Sequence, residues 1–343
     1  MSISPLRSPI KYPGGKRKLF AEINQRLPPG SFKYAEPFFG GGSIGLQLAG
    51  EGRLTRFVAG EACGPVRAFW ETLANSKHVL EAHLRVLVEL SDQKSPSEFY
   101  ERCRQQLNSR DCDPALEAAL LLILNKTCNN GIVRFNRSGE FNVSLGKKQD
   151  GSYHRFKPDF DHLDRCHLAL RGAGFQIHPT WADALAPIAD GWTPDRPRDT
   201  WAVYADPPYT GGFVGYTPEG WTSDDDIKLF TSLAWARDYG ARVVLSQPDT
   251  EWARDCCSGI LKGWQVDRLE VARPANSDGE GRGPVGELLI WNKPVDKAWV
   301  PVTGTVNFSC GQDKPVERVM APAEPSPIVL NITVASDDNC GLA

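Results

Sequence analysis

Four consecutive residues, Asp206-Pro207-Pro208-Tyr209, have the types and order needed for chemistry. They follow Trp201 to Ala205, a short apolar run that reads as a buried strand. Proline cannot donate to a sheet ladder, so the strand must stop at Asp206. A carboxylate is thereby placed at the C-terminal edge of a strand, where open α/β sheets bind ligands. The two prolines stiffen the turn and fix two acceptors, the Asp206 carboxylate and the Pro207 carbonyl. Tyr209 adds a flat face beside them. Two aimed acceptors and a stacking platform suit a planar ligand with an exocyclic amino group. A plain strand-to-loop turn has the same composition, so the rest of the chain must decide.

Two earlier stretches carry the same kind of signal. In Lys11-Tyr12-Pro13-Gly14-Gly15-Lys16, adjacent glycines allow close backbone approach to a ligand, and Lys16 can meet a carboxylate or a phosphate. Phe32 to Glu36 reads as a strand stopped by Pro37. The loop Phe38-Phe39-Gly40-Gly41-Gly42-Ser43 and a helix through Gly45 to Leu48 follow it. Strand, glycine turn and helix are the parts of a nucleotide-like binding turn. There is no G-x-G-x-x-G and no phosphate-loop lysine, which favours a nucleoside-like cofactor over a triphosphate. Arg56 to Glu61 reads as the second strand, and Glu61 lies about 20 residues past the glycines, the spacing of a ribose-binding acid.

The elements that must position these residues follow from periodicity. Leu19 to Leu27 and residues 162–171 read as helices, and Phe175 to His178 as a strand followed by Asp183 in a loop. Pro187 to Asp199 reads as a connector, and Thr210 to Tyr216, with three glycines, as a lid over a ligand. Asp224 to Tyr239 is expected as an amphipathic helix, with strands at Arg242 to Ser246 and Glu287 to Trp291. The glycine-rich stretch Ala272 to Gly286 is expected to be partly disordered. Past Pro294 the pattern fades into a proline-rich tail, with one further strand at Val329 to Val334.

Between Glu61 and Phe175 the character changes. Apolar residues recur at helical spacing in Val66 to Ala74, Val79 to Leu90 and Leu116 to Leu124, with Pro96 and Pro114 at helix starts. Asn125 to Val143 then interleaves amides, arginines and aromatics in a hairpin-like pattern. From Lys126 to Lys157 seven Lys/Arg face two acids, a local +5 in a chain of net charge −3. That is a footprint for phosphate contact on a protein that is not globally basic. The chain has 343 residues and no apolar run long enough to span a bilayer. Nine scattered cysteines, none in a C-x-x-C pair, point to free thiols in a reducing cytoplasm and to no metal site.

Taken together, these stretches resemble the Dam-like (D12 class) DNA N6-adenine methyltransferases. Lys11 to Lys16 is similar to the family's K-W-x-G-G-K segment, with Tyr12 in place of Trp, and Glu36 to Gly42 to its E-P-F-x-G-G-G loop. Asp206 to Tyr209 matches its catalytic motif, and Asn125 to Val143 resembles its DNA-contacting hairpin. The resemblance implies an α/β fold: a Rossmann-like S-adenosylmethionine-dependent methyltransferase sheet with an inserted helical target-recognition domain. It divides the chain into a catalytic domain at 1–64 and 166–294, the insertion at 65–165, and a tail at 295–343, partly disordered.

The resemblance implies transfer of a methyl group from S-adenosyl-L-methionine to a flipped adenine in duplex DNA. Asp206, Pro207 and Tyr209 would be catalytic. Tyr12, Lys16, Glu36, Phe38, Gly40, Glu61, Asp183 and Asp206 would bind the cofactor, and no metal is called for. Asn130, Arg134, Asn136, Lys147 and Lys148 would contact DNA. The expected location is cytoplasmic, without membrane contact, and the resemblance admits a partner restriction nuclease. Glu61 stands where the family has Asp, and Asn129 where many relatives carry an aromatic wedge. Other amino acceptors (cytosine N4, RNA or a nucleotide) share this chemistry, and a non-catalytic DNA-binding module shares the fold.

Overall fold

The computed structural model describes residues 5–136, 138–190, 201–209, 220–271, 285–293, 307–310 and 312–317. Seven strands form one sheet: β1 Phe32–Glu36, β2 Leu54–Gly60, β3 Phe175–His178, β4 Trp201–Ala205, β5 Arg242–Pro248, β6 Gln265–Val271 and β7 Val285–Trp291. Their spatial order is β3-β2-β1-β4-β5-β7-β6. The pairs from β3 through β5 are parallel, and β7 runs antiparallel to both β5 and β6. This is a doubly wound, Rossmann-like sheet. Its strand order reverses between β1 and β4, where such sheets open a crevice at the strand C-termini.

Burial on both faces explains the strand sequences, since a parallel strand covered on both sides reads as a continuous apolar run. All five residues of β4 are buried. Alternate side chains feed two cores. Phe32, Tyr34, Tyr204 and Val244 join the first, while Ala35, Val203, Ala205 and Leu245 join the second.

Among the described residues there are ten α-helices: α1 Phe20–Arg26, α2 Gly45–Gly50, α3 Gly64–Asn75, α4 Lys77–Asp92, α5 Pro96–Ser109, α6 Pro114–Thr127, α7 Phe160–Gly172, α8 Trp181–Leu185, α9 Ser223–Asp238 and α10 Glu251–Ser258. Residues of α1 to α7 belong to the first core, and those of α8 to α10 to the second. Phe69 and Trp70 of α3 pack with Phe39, Phe57 and Phe175, so this helix lies directly against the sheet side. α6 is apolar nearly all round, with Leu120 to Asn125 buried, as expected of a helix enclosed by neighbours. Pro114 sits in its first turn, and Asp113 caps it by accepting from the N–H groups of Ala115 and Leu116.

After α6 the chain forms an irregular antiparallel hairpin. Cys128 bridges Leu145 and Phe135 bridges Phe141, and Asn136 N–H donates to Glu140 O at 2.9 Å across the tip. Three expectations change. Trp181–Leu185 is a helix and not a loop, because Thr180 caps it by accepting from Asp183 N–H and because Ala184 and Leu185 are buried. The helix α10 and the strand β6 are additional to the elements expected from the sequence. β6 is an edge strand, whose charged residues suit an exposed margin. Within the expected tail, the backbone of Asn307–Cys310 pairs antiparallel with that of Gln312–Glu317.

The expected lid, most of the connector before β4, residues 272–284 and the strand at Val329 to Val334 lie outside the described residues. The seven cysteines from Cys63 to Cys257 are free thiols, and no described helix is long and apolar enough to cross a membrane.

Gly45 tests the packing of the strand-turn-helix unit. A Cβ there would meet the Phe57 ring and sit 2.5 Å from Glu36 Oε2. Gly45→Ala is expected to lower the melting temperature measurably, since overpacking of a tight core costs about 1–3 kcal/mol. A thermal scan giving an unchanged midpoint would contradict this packing.

Candidate active site

The end of β4 delivers Asp206 to the crevice, and the side chain retains 20% exposure. Lys16 reaches it from the N-terminal segment, with Nζ 2.6 Å from Asp206 Oδ1. The same ammonium donates to the Tyr209 hydroxyl at 2.7 Å and lies 3.3 Å from Glu287 Oε1 on β7. Tyr209 OH stands 3.2 Å from Asp206 Oδ1 and 3.1 Å from Glu287 Oε1. Four polar groups from three distant parts of the chain therefore meet at one point. Burial alone would lower the Lys16 pKa, but the Asp206 and Glu287 carboxylates outweigh it, and the net shift is upward. Burial, and then the same two carboxylates, hold the Tyr209 phenol far above its ordinary value, so it stays neutral.

Glu36, at the end of β1, is 3% exposed. Its Oε2 accepts from Tyr34 OH at 3.1 Å and from Gly45 N–H at 2.8 Å. The carboxylate thus ties the strand end to the first residue of α2 and shapes the glycine loop from beneath. Burial pushes its pKa up to about 8, against the lowering effect of these two bonds. Glu61 follows β2 directly. Its Oε2 accepts from Gly40 N–H at 2.9 Å and its Oε1 from Cys63 N–H at 2.7 Å. Burial raises its pKa to about 7, again opposed by the two backbone donors. Gly42 has φ of +64°, and the loop needs glycine there. Tyr12 packs over Gly40 and Gly41, where any Cβ would fall 2.7 Å from its ring or its own Cβ.

The structure therefore brings Tyr12, Lys16, Glu36, Gly40, Glu61, Asp206 and Tyr209 to the C-terminal ends of β1, β2 and β4. Phe38 stands nearby, stacked on Trp181 at 6.4 Å and edge-on to Trp221 at 5.4 Å. Asp183 is exposed, and among the described residues its hydrogen bonds are the reciprocal pair with Thr180, with none to the Asp206 cluster. Pro207, which follows Asp206, is buried.

The hairpin residues form a second group. Arg134 is exposed and braced by Asn142, with Nε 2.8 Å from its Oδ1. Asn136 is engaged with Glu140 through both ends of its amide. Asn130 is exposed and left-handed at φ +57°, a conformation asparagine tolerates. Lys147 and Lys148 are exposed, and Lys147 Nζ lies 5.7 Å from the Tyr153 ring centre. Asn125, fully buried, joins the two groups. Its amide accepts from Lys11 N–H and donates to Lys11 O, both at 2.8 Å, and donates to Gly131 O at 2.9 Å.

Sequence reasoning missed two residues of this arrangement. Glu287 was read only as the start of a strand, and Asn125 only as part of a motif. No local signal marks Glu287, because an antiparallel strand late in the chain brings it to Lys16.

The buried acids give the free protein a definite pH dependence. A carboxyl whose pKa rises on folding favours the folded state at low pH, and that stability is lost as pH climbs from the ordinary carboxyl range to the raised value. For Glu36 the window runs from its reference value of 4.5 up to about 8. Glu36→Gln keeps an acceptor oxygen for Tyr34 and Gly45 but cannot ionise. Its melting temperature should gain on wild type as pH rises through that window and then level off. Parallel melting curves for the two proteins would contradict the burial argument.

Residues 12–166 match the model of the D12 class N6 adenine-specific DNA methyltransferase. The chain is 28% identical over 313 residues to the type II methyltransferase M.MjaIII of Methanocaldococcus jannaschii, covering 85% of this chain and 100% of that one. It is 27% identical over 295 residues to the DNA adenine methylase of Escherichia coli, covering 84% and 96% of the two chains. With the DNA adenine methylase of Vibrio cholerae it shares 29% over 298 residues, again 84% and 96%. The matched segment contains Lys16, the glycine loop, Glu61 and the whole hairpin, and over residues 12–166 the chain is similar to the D12 class N6 adenine-specific DNA methyltransferases.

Proposed function

We propose that this protein transfers a methyl group from S-adenosyl-L-methionine to the N6 amino group of an adenine in double-stranded DNA. One observation carries the reading. The Asp206 carboxylate stands at the strand-order reversal of the sheet, and every hydrogen bond it makes among the described residues falls on Oδ1, from Lys16 and Tyr209. Oδ2 is thereby left as an acceptor for an amino hydrogen.

The residues present suit the cofactor. Each Glu61 oxygen accepts one backbone N–H and keeps a lone pair for a ribose hydroxyl. His178 Nε2, at the end of β3 beside Glu61, is buried with no hydrogen-bond partner among the described residues, a site that a purine nitrogen would satisfy. We assign Tyr12, Lys16, Phe38, Gly40, Glu61 and Asp206 to this role, with Glu36 supporting the loop and Asp183 at its rim. S-adenosylmethionine supplies, when bound, an electrophilic sulfonium methyl group.

The adenine N6 lone pair is delocalised into the ring, which makes it a poor nucleophile. Asp206 Oδ2 and the Pro207 carbonyl each accept one N6–H bond. Holding both hydrogens drives the nitrogen toward a tetrahedral shape and localises its lone pair. Tyr209 supports the base beside these acceptors. The rate gain comes from positioning and from dipoles aimed before the substrate arrives. A base within a duplex cannot reach this crevice, so it must swing out of the stack. Residues 65–165 would form the target-recognition region, with Asn130, Arg134, Asn136, Lys147 and Lys148 on the DNA, in a protein of the cytoplasm. Pairing with a restriction nuclease is consistent with type II relatives such as M.MjaIII.

Asp206→Ala tests the central claim. It should cut methyl transfer to adenine-containing duplexes by about 10²–10³, the usual cost of losing an aimed group, with the fold intact. Turnover near that of wild type would refute the mechanism.

The hairpin gives a second test. Arg134→Ala should relax base preference at one position, worth roughly 1–3 kcal/mol, because a guanidinium can grip guanine O6 and N7 together. Lys147→Ala should weaken binding to all sequences alike and make the salt dependence shallower by about one unit of log–log slope. Methylation of a library of duplexes by each variant separates the two. Identical uniform losses would reduce the hairpin to a charge patch.

A further inference from the structure

Methyl transfer to a neutral amino nitrogen leaves one proton too many on the product, and this inference, which rests on the reading above, concerns where that proton goes. Asp206 is the nearest carboxylate, but a site that ends each turnover with Asp206 protonated has lost its acceptor. The described residues contain a second carboxylate connected to it. Glu287 is 6% exposed, and its Oε1 lies 3.1 Å from Tyr209 OH, which in turn lies 3.2 Å from Asp206 Oδ1.

The donor count sharpens this geometry. Lys16 has three N–H groups, and three acceptors surround it: Asp206 Oδ1, Tyr209 O and Glu287 Oε1. The Tyr209 oxygen therefore accepts from Lys16, and its single hydrogen can point to Asp206 or to Glu287, but not to both. Two carboxylates share one ammonium and one phenolic proton. That arrangement carries one unit of negative charge when both acids are ionised and has room for one added proton.

We propose that Glu287 is the terminal acceptor of the N6 proton, reached from Asp206 through the Tyr209 hydroxyl. As the N6–CH3 bond forms, the methyl–sulfur bond breaks and its electron pair stays on sulfur. One N6–H bond then breaks, with its electrons returning to nitrogen, and the proton joins Asp206. Half a turn of the Asp206 carboxyl about Cβ–Cγ carries the proton from the Oδ2 side to the Oδ1 side, where the Tyr209 oxygen takes it as the Tyr209 proton passes to Glu287. Asp206 is again a carboxylate, Tyr209 is unchanged, and Glu287 is neutral until the site opens to water. Nothing is oxidised or reduced beyond the methyl transfer itself.

The surroundings single out Glu287. Lys16 faces it from the N-terminal segment, and Asp206 and Tyr209 from the loop after β4. Tyr204 of β4, held by Ser246 of β5, is the other titratable neighbour. The register partners of Glu287 are Pro248 on β5 and Leu269 on β6, neither of which titrates, and Arg268 beside them is paired with Asp249. Burial raises the Glu287 pKa, and Lys16 opposes the rise, so the group is suited to take up a proton and release it. Glu36 is not an alternative, because its hydrogen bonds run to Tyr34 and Gly45 and none links it to Tyr209 or Lys16.

Single-turnover methyl transfer to an adenine-containing duplex, followed from mildly acidic to mildly alkaline pH, tests the proposal. Glu287→Gln keeps an acceptor oxygen for Lys16 and Tyr209 but cannot take a proton. Its rate should fall by about 100-fold or more, the scale of a lost proton-transfer partner, and should lose the rise with pH expected of wild type. Glu287→Asp should recover part of both. Tyr209→Phe keeps the aromatic face and removes the bridging hydroxyl, together with the acceptor it offers Lys16, and it should show the same loss. Binding of S-adenosylhomocysteine, followed by calorimetry, should be retained in every variant that is folded. If Glu287→Gln does not fold, Tyr209→Phe decides the matter alone. Wild-type rates and pH profiles in Glu287→Gln or Tyr209→Phe overturn the proposal while leaving adenine methylation standing. Absence of N6-methyladenine from the wild-type reaction overturns both.

Discussion

Lys16 and Asp206 are 190 positions apart in the chain, yet their charged groups lie 2.6 Å apart at the opening of the sheet. Much of the site depends on that pair. Both side chains are largely shielded from water, at 12% and 20% exposure, so neither charge is well solvated alone. A partly buried ion pair with one partner removed leaves an uncompensated charge, which is costly. The pair therefore fastens the N-terminal segment across the C-terminal ends of the strands. Tyr12, four residues earlier, is held against the glycines of the loop by the same fastening.

The acids around this pair divide the work by environment. Asp206 keeps contact with solvent and is compensated by Lys16. Glu36 and Glu61 are almost fully buried, Glu36 accepting from Tyr34 and Gly45 and Glu61 from Gly40 and Cys63. Burial raises both, whereas hydrogen bonds to the charged form oppose the rise. Burial thus disfavours the charged forms of Glu36 and Glu61 beneath the free crevice while their hydrogen bonds favour them. Such a balance costs stability in the absence of ligand, which is common where a site is built before its ligand arrives.

The hairpin is not an independent appendage. Asn125, in the last turn of the buried helix α6, holds the backbone of Lys11 and Gly131 together, so the two groups of candidate residues share one anchor. The first core runs without interruption from β1 and β2 through α3 and α6 to Phe141 and Val143 of the hairpin. A base contact made by the hairpin is therefore mechanically close to Lys16, five residues past Lys11. Tyr100 OH on α5 adds a further tie by donating to Val143 O at 2.7 Å.

Much of the fold was legible in the sequence because its signals are local. Buried parallel strands announce themselves as apolar runs, and prolines end β1 at Glu36 and β4 at Ala205 through the missing N–H. The acids and glycines of the crevice follow from those stops, so Glu36, Glu61 and Asp206 could be placed at strand ends from residue order alone. Asp183 shows the limit of such reasoning. The same pattern of an acid after a strand became a helix cap, because Thr180 supplied the partner. Tertiary structure alone decided that Lys16 meets two carboxylates, that β7 runs antiparallel and so delivers Glu287 to Tyr209, and that Asn125 clamps Lys11. These contacts depend on sheet order and register between segments far apart in the chain, and no local propensity encodes which distant strand becomes a neighbour.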